Sequence, residues 1–298
     1  MSNIKDYIFE HLDNLGELER PEFNYLSNNV EEFYSESSEH NSLILNEKAF
    51  LQLSHLFKVI SFEDFPREYD LTEVKIRYIN GKVCLINKFK QICYEEDGQL
   101  YITPLFIDID DQEFRSIRKD IIKTLANKEK WKQYNLYGDY KNCSNYAFED
   151  KCAISILNGD IINLLKSTGA NNIRDIDMVI QAIEFGGTHT ESYDSDYDYY
   201  VTNGFMPVSA CKWDDEHAPI KWLQLNGFIL EDRTIDKSYK NIPDDELKYP
   251  RQDIIFYIYT GYFRYISYSE WLATHGYSDN YDQAKDIQLK ECNKYYNK

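Results

Sequence analysis

Val74-Lys75-Ile76-Arg77-Tyr78-Ile79-Asn80-Gly81-Lys82-Val83-Cys84-Leu85-Ile86 is the stretch that decides the fold. Apolar and charged residues alternate through its first half, which places apolar side chains on one face of a strand. Asn80-Gly81 supplies the two positive-φ positions that a tight hairpin turn demands, and Lys82 onward returns as the partner strand. Residues 90–94, a turn at 95–98 and residues 100–109 extend the hairpin into an antiparallel meander over about 73–109.

Helical spacing takes over on both sides. Ile4, Tyr7, Ile8, His11, Leu12 and Leu15 recur at helical intervals and stop at Gly16. Phe50, Leu51, Leu53, Leu56 and Phe57 mark a second helix over 47–59, and the polar, acidic residues 35–41 read as a loop. After the meander, Phe114, Ile117, Ile121, Ile122 and Leu125 line one face of a helix over 111–134. Its other face is basic, carrying Arg115, Arg118, Lys119, Lys123, Lys128, Lys130 and Lys132, and is expected against solvent or an acidic region. Residues 147–185 read as helical, with 158–170 closing at Gly169, and 214–227 has the same helix-to-glycine shape. Residues 254–268 read as an aromatic hairpin about Gly261. A short helix then opens near Ser269 and closes at Gly276, and a last helix covers 281–296. The fold class is α+β: a β-meander flanked by helices, then a helical and β-hairpin C-terminal part. The expected parts are 1–135 and 136–298, closely packed or continuous, because no low-complexity linker separates them.

A hydrophobic share of 43% excludes a chain held open by its own charge. No run approaches the roughly 20 apolar residues that cross a bilayer. The first residues lack a basic flank and apolar core, so a cytoplasmic location is expected. Cys84, Cys93, Cys143, Cys152, Cys211 and Cys292 form no close Cys-x-x-Cys pair and read as small buried hydrophobes. No glycine loop for phosphates appears, and no cofactor is expected.

The net charge is −18, and it is unevenly placed. Residues 1–70 carry −10 and residues 184–217 carry −7, while the meander is nearly neutral and residues 111–135 carry +3. Such a chain repels nucleic-acid phosphates and anionic membranes and attracts basic partners. The second acidic stretch reads as a tyrosine-rich loop, in which Tyr193, Tyr197, Tyr199 and Tyr200 interleave with Asp194, Asp196 and Asp198, and Trp213-Asp214-Asp215-Glu216 follows. Aromatic rings give rigid contact area, and carboxylates between them steer a basic surface onto it. These eleven residues are the candidate partner-binding set. Asp194, Asp196 and Asp198 begin like a calcium loop, but Tyr199 and Phe205 stand where its Gly and Glu belong.

Asp108 and Asp110 offer a different chemistry. Two carboxylates spaced by two at the end of an apolar strand share a face and could hold a divalent cation. The pair resembles the D-x-D of nucleotide-sugar transferases and the paired aspartates of primase-type polymerases and haloacid-dehalogenase phosphatases. That resemblance implies metal-dependent phosphoryl or glycosyl transfer, but the further motifs of those families are absent; capping of the next helix by Asp110 or Asp111 is the alternative role. His189, with Glu184 and Glu191 near it, has no second histidine at helical spacing, and no catalytic triad can be read from order alone. The expectation is a non-catalytic binding protein that neutralises a basic protein partner, a toxin or effector domain. In character it is similar to bacterial immunity proteins.

Overall fold

A computed structural model describes residues 42–43, 69, 74–79, 82–97, 99–126, 140–261 and 265–296. The chain divides into two compact units, Met1–Phe106 and Ile107–Lys298. The helices expected at 4–15 and 47–59, the acidic loop at 35–41 and the expected helical residues beyond 126 lie outside the described residues.

The first unit holds an antiparallel sheet whose strands follow chain order: β1 (Ser42–Leu43), β2 (Val74–Ile79), β3 (Lys82–Asn87), β4 (Ile92–Glu96) and β5 (Gln99–Ile102). Ile79 pairs with Lys82 across Asn80-Gly81, so the hairpin forms where the dipeptide places it. Cys84, Leu85, Ile86, Ile92, Cys93 and Tyr94 are buried. The Tyr69 hydroxyl donates to the Leu85 carbonyl at 2.6 Å. Thr103 ends the ladder by accepting the Ile92 N–H on its hydroxyl at 2.9 Å. Pro104 follows, with no N–H to continue it.

Residues 107–109 therefore leave the meander. They form β6 (Ile107–Ile109), an edge strand of the second unit's sheet. That sheet also contains β7 (Ser144–Phe148), β8 (Cys152–Leu157), β9 (Asp160–Lys166), β10 (His189–Tyr193), β11 (Phe205–Cys211) and β12 (Ile254–Tyr259), in the order β11-β12-β10-β9-β8-β7-β6. Helix α1 (Asp111–Thr124) opens on Asp110, whose carboxylate accepts the Glu113 N–H at 2.8 Å. Its Phe114, Ile117 and Ile121 share a core with Ala147, Ala153 and Leu165 of the sheet. Each of the Phe, Ile and Leu side chains contributes about 1.5–3 kcal/mol on burial. The basic helix thus belongs with the C-terminal unit. Its Arg115 and Arg118 lie 5.2 and 5.8 Å from the Tyr140 ring centre, so part of the basic face is spent within that unit.

Three sequence expectations are corrected. Residues 144–166 form strands β7, β8 and β9, not a helix. Asn158 and Gly159 take φ of 51° and 84°, repeating the Asn-Gly hairpin of the first unit. The apolar runs beside that turn suit a strand covered on both faces, and a short apolar run does not distinguish strand from helix. Strand β12 does not form a hairpin with the residues after it, because both its edges are taken, by β10 and by β11. Residues 184–217 are not one loop: they comprise β10, a short helix α3 (Tyr197–Thr202) and β11.

The remaining helices meet expectation. They include α2 (Asp175–Glu184) and α4 (Ile220–Leu225), the latter followed by Gly227 at φ 85°. Helix α5 (Tyr268–His275) starts at a capping box between Ser267 and Glu270 and ends at Gly276. Helix α6 (Tyr281–Tyr296) buries Ala284, Gln288 and Cys292, one per turn. The Gln288 amide donates to the carbonyls of Thr190 and Tyr257 at 2.6 and 2.8 Å, tying α6 to β10 and β12. Cys84, Cys93, Cys152, Cys211 and Cys292 are buried, as small hydrophobes are, and Cys143 is half-buried.

Candidate functional site

The sheet has one parallel neighbour pair among the described residues, β9 and β10, joined through α2. Their ladder contains a single pair, Asp160 with His189. The Thr190 hydroxyl then donates to the Ile161 carbonyl at 2.9 Å, after which the register ends. Beyond that point residues 161–164 and 190–193 line a cleft of about 990 Å³. The two parallel strands thus part after their first residues, and a gap of ligand size opens between them.

Six carboxylates line the cleft: Glu191, Asp196, Asp214, Asp215, Asp279 and Asp282. Lys212 and His217 are the basic residues of the lining. Tyr193, Tyr200, Trp213, Tyr277 and Tyr281 supply aromatic surface. Tyr200 stacks on Tyr257 with ring centres 5.1 Å apart, and Trp213 tilts against the buried Trp222 at 4.9 Å. These rings are therefore backed by core and hold their positions.

One acidic wall is built as structure. Asp215 accepts the Trp213 indole N–H at 2.9 Å and the Arg251 Nε–H at 2.8 Å. Arg251 also reaches Asp244 at 2.7 Å and the Tyr239 carbonyl at 2.7 Å. Its hydrogen bond to Asp215 raises the guanidinium's already high pKa, so it stays charged. Asp214 holds His217 at 2.7 Å and accepts the Glu216 N–H at 2.9 Å. The His217 hydrogen bond, then the Glu216 N–H, hold the Asp214 carboxyl below its usual range. Glu216 is paired with Lys240.

Glu191 is also neutralised. Lys285 donates to Asp160 at 2.6 Å and to Glu191 at 3.3 Å, and the Tyr281 hydroxyl donates to both Glu191 oxygens at 2.7 Å. Burial weakens the Lys285 ammonium, but Asp160 and Glu191 outweigh it and hold the lysine charged. The rim at Asp279 and Asp282 differs. Asp279 and Asp282 form no ion pair with any described residue; Asp279 accepts the Gln283 amide at 3.3 Å.

Of the eleven residues singled out in the sequence, Tyr193, Asp196, Tyr200, Trp213, Asp214 and Asp215 line the cleft. Tyr197 does not: it is 2% exposed, one turn from buried Val201 on α3, and burial pushes its hydroxyl up to about 12. Its place in the candidate set is corrected to the core. Tyr199 lies edge-on to Tyr200, Asp198 accepts the Tyr265 hydroxyl at 3.2 Å, Asp194 bonds Asp253 through its backbone, and Glu216 faces Lys240, all outside the lining. The sequence reading missed Tyr277, Asp279, Tyr281 and Asp282. Their segment, Tyr277-Ser-Asp-Asn-Tyr-Asp282, repeats the tyrosine–aspartate interleaving of 193–198 and carried the same signal.

Asp108 lies on β6 and Asp110 caps α1. No group of three or more His, Cys, Asp or Glu among the described residues is placed to hold a metal ion. Folding also brings Cys292 within 3.7 Å of His189 Nδ1, while His189 Nε2 stands 3.9 Å from Asp160. The order nucleophile, base, carboxylate is that of a triad. Burial, then the Lys285 charge, lower the His189 pKa to about 4, which holds the imidazole neutral. Neither Cys292 nor His189 lines the cleft. No described helix is long and apolar enough to cross a membrane. No protein-family model, curated protein or solved structure matches the chain.

Proposed function

We propose that the chain is a non-catalytic binding protein that receives a basic segment of another protein in this cleft and so neutralises it, in the manner of a bacterial immunity protein holding a toxin in the cytoplasm. One observation carries the reading: among the described residues, five aromatic rings, of which Tyr200 and Trp213 are braced by core, line a cleft together with six carboxylates and one lysine. Rings of that kind supply contact area at little entropic cost and attract cations through their faces. Carboxylates at the mouth raise the encounter rate with a basic surface and disfavour acidic competitors. Asp279 and Asp282, which form no ion pair with any described residue, make that attraction available to a partner.

The test is a calorimetric titration of the full chain with hexalysine, with hexaglutamine as the neutral control. Binding of hexalysine that weakens as salt rises from 50 to 200 mM supports the reading. Equal behaviour of the two peptides removes it.

A further inference from the structure

Lys212, the one lysine among the described lining residues, shares the cleft with six carboxylates, yet forms no ion pair with any described residue. Its ammonium instead lies over the Tyr277 ring, 5.0 Å from the centre. The Tyr277 hydroxyl donates to Asp253, which also accepts the Trp213 backbone N–H at 3.1 Å. A phenol that donates to a carboxylate has a more electron-rich ring, and its face is a better seat for a cation. Asp253 thus fixes two walls of the cleft and sharpens one of them.

We infer that Lys212 is a built-in occupant of the cation seat on Tyr277, and that the lysine or arginine side chain of a basic partner takes the seat by displacing it. The inference rests on the binding function proposed above and names the group the cleft reads. Lys212 is exposed on a flexible stem, so it swings out at little cost. The seat then excludes weakly basic surfaces, since an entering cation must compete with one already in place.

The experiment measures hexalysine affinity for the wild-type chain, Lys212→Met and Lys290→Met. Lys290 is an exposed lysine nine residues into α6, and it controls for total charge. Lys212→Met is expected to tighten binding about two- to fivefold, the value of one exposed cation–π contact. Lys290→Met is expected to leave affinity unchanged. In a Tyr277→Leu background, checked for native circular dichroism, the gain from Lys212→Met is expected to vanish. If wild type binds and Lys212→Met binds no tighter, or gains equally without the Tyr277 ring, the seat is refuted while the binding function stands. If wild type does not bind hexalysine, both fall.

Discussion

The two acidic rims of the cleft look alike in sequence and differ in what they can do. Trp213-Asp-Asp-Glu216 and Tyr277-Ser-Asp-Asn-Tyr-Asp282 both set carboxylates beside aromatic rings. In the first, Asp214, Asp215 and Glu216 are tied to His217, Arg251 and Lys240. In the second, Asp279 and Asp282 form no ion pair with any described residue. Counting acids therefore overstates the first rim as a docking surface and understates the second. The first holds the site together, and the second gives it a field.

Beside that contrast, the largest effect expected by experiment belongs to His189, which pairs with Asp160 on the β9–β10 ladder outside the cleft lining. His189 is buried and held neutral, with a pKa lowered to about 4 by burial and then by Lys285. An unfolded chain takes up the proton near the ordinary value of 6.5, so the unfolded state binds more protons between the two. Stability is complete above pH 6.5 and falls as pH drops towards 4. The loss reaches about 3 kcal/mol at a slope of about 1.4 kcal/mol per pH unit. Urea titrations of wild type and His189→Gln across that window check it. The variant is expected to show a flatter profile, and parallel profiles would contradict the assignment.

Next in size is Asp215→Ala. Arg251 is 15% exposed and would lose its two bonds to Asp215, while Trp213 would lose its indole acceptor. A cost of about 2–3 kcal/mol in unfolding free energy is expected. If stability is unchanged, the first rim is not structural. The smallest effect on the fold and the clearest on binding belong to Asp279→Asn with Asp282→Asn. Stability should move by less than about 0.5 kcal/mol, as for surface positions. Hexalysine affinity should fall by about 1 kcal/mol, with a shallower salt dependence. An unaltered affinity would transfer the role back to the first rim.

How much of this was legible is clearest from the two Asn-Gly hairpins. Asn80-Gly81 sits between alternating residues and announces a strand pair. Asn158-Gly159 has the same geometry, but Cys152–Leu157 and Asp160–Lys166 are apolar on both faces, and a continuous apolar run fits either period. Local signals also placed α4, α5 and α6, whose caps lie within a few residues of their helices. Sheet order was hidden, because β12 pairs with β10 far along the chain, Thr190 opposite Tyr257, and no local pattern specifies it. The cleft was half legible: interleaved tyrosine and aspartate marked one wall. Which carboxylates were already spent depended on Arg251, 36 residues from Asp215.

The most direct test of the central claim asks where a basic segment lands. A hexalysine peptide carrying a photoreactive phenylalanine, irradiated with the full chain and mapped by mass spectrometry, answers it. Cross-links to Tyr193, Trp213, Tyr277 and Tyr281, lost at high salt, are the expected result. Cross-links confined to residues 1–70, which carry the larger charge of −10, would contradict the account.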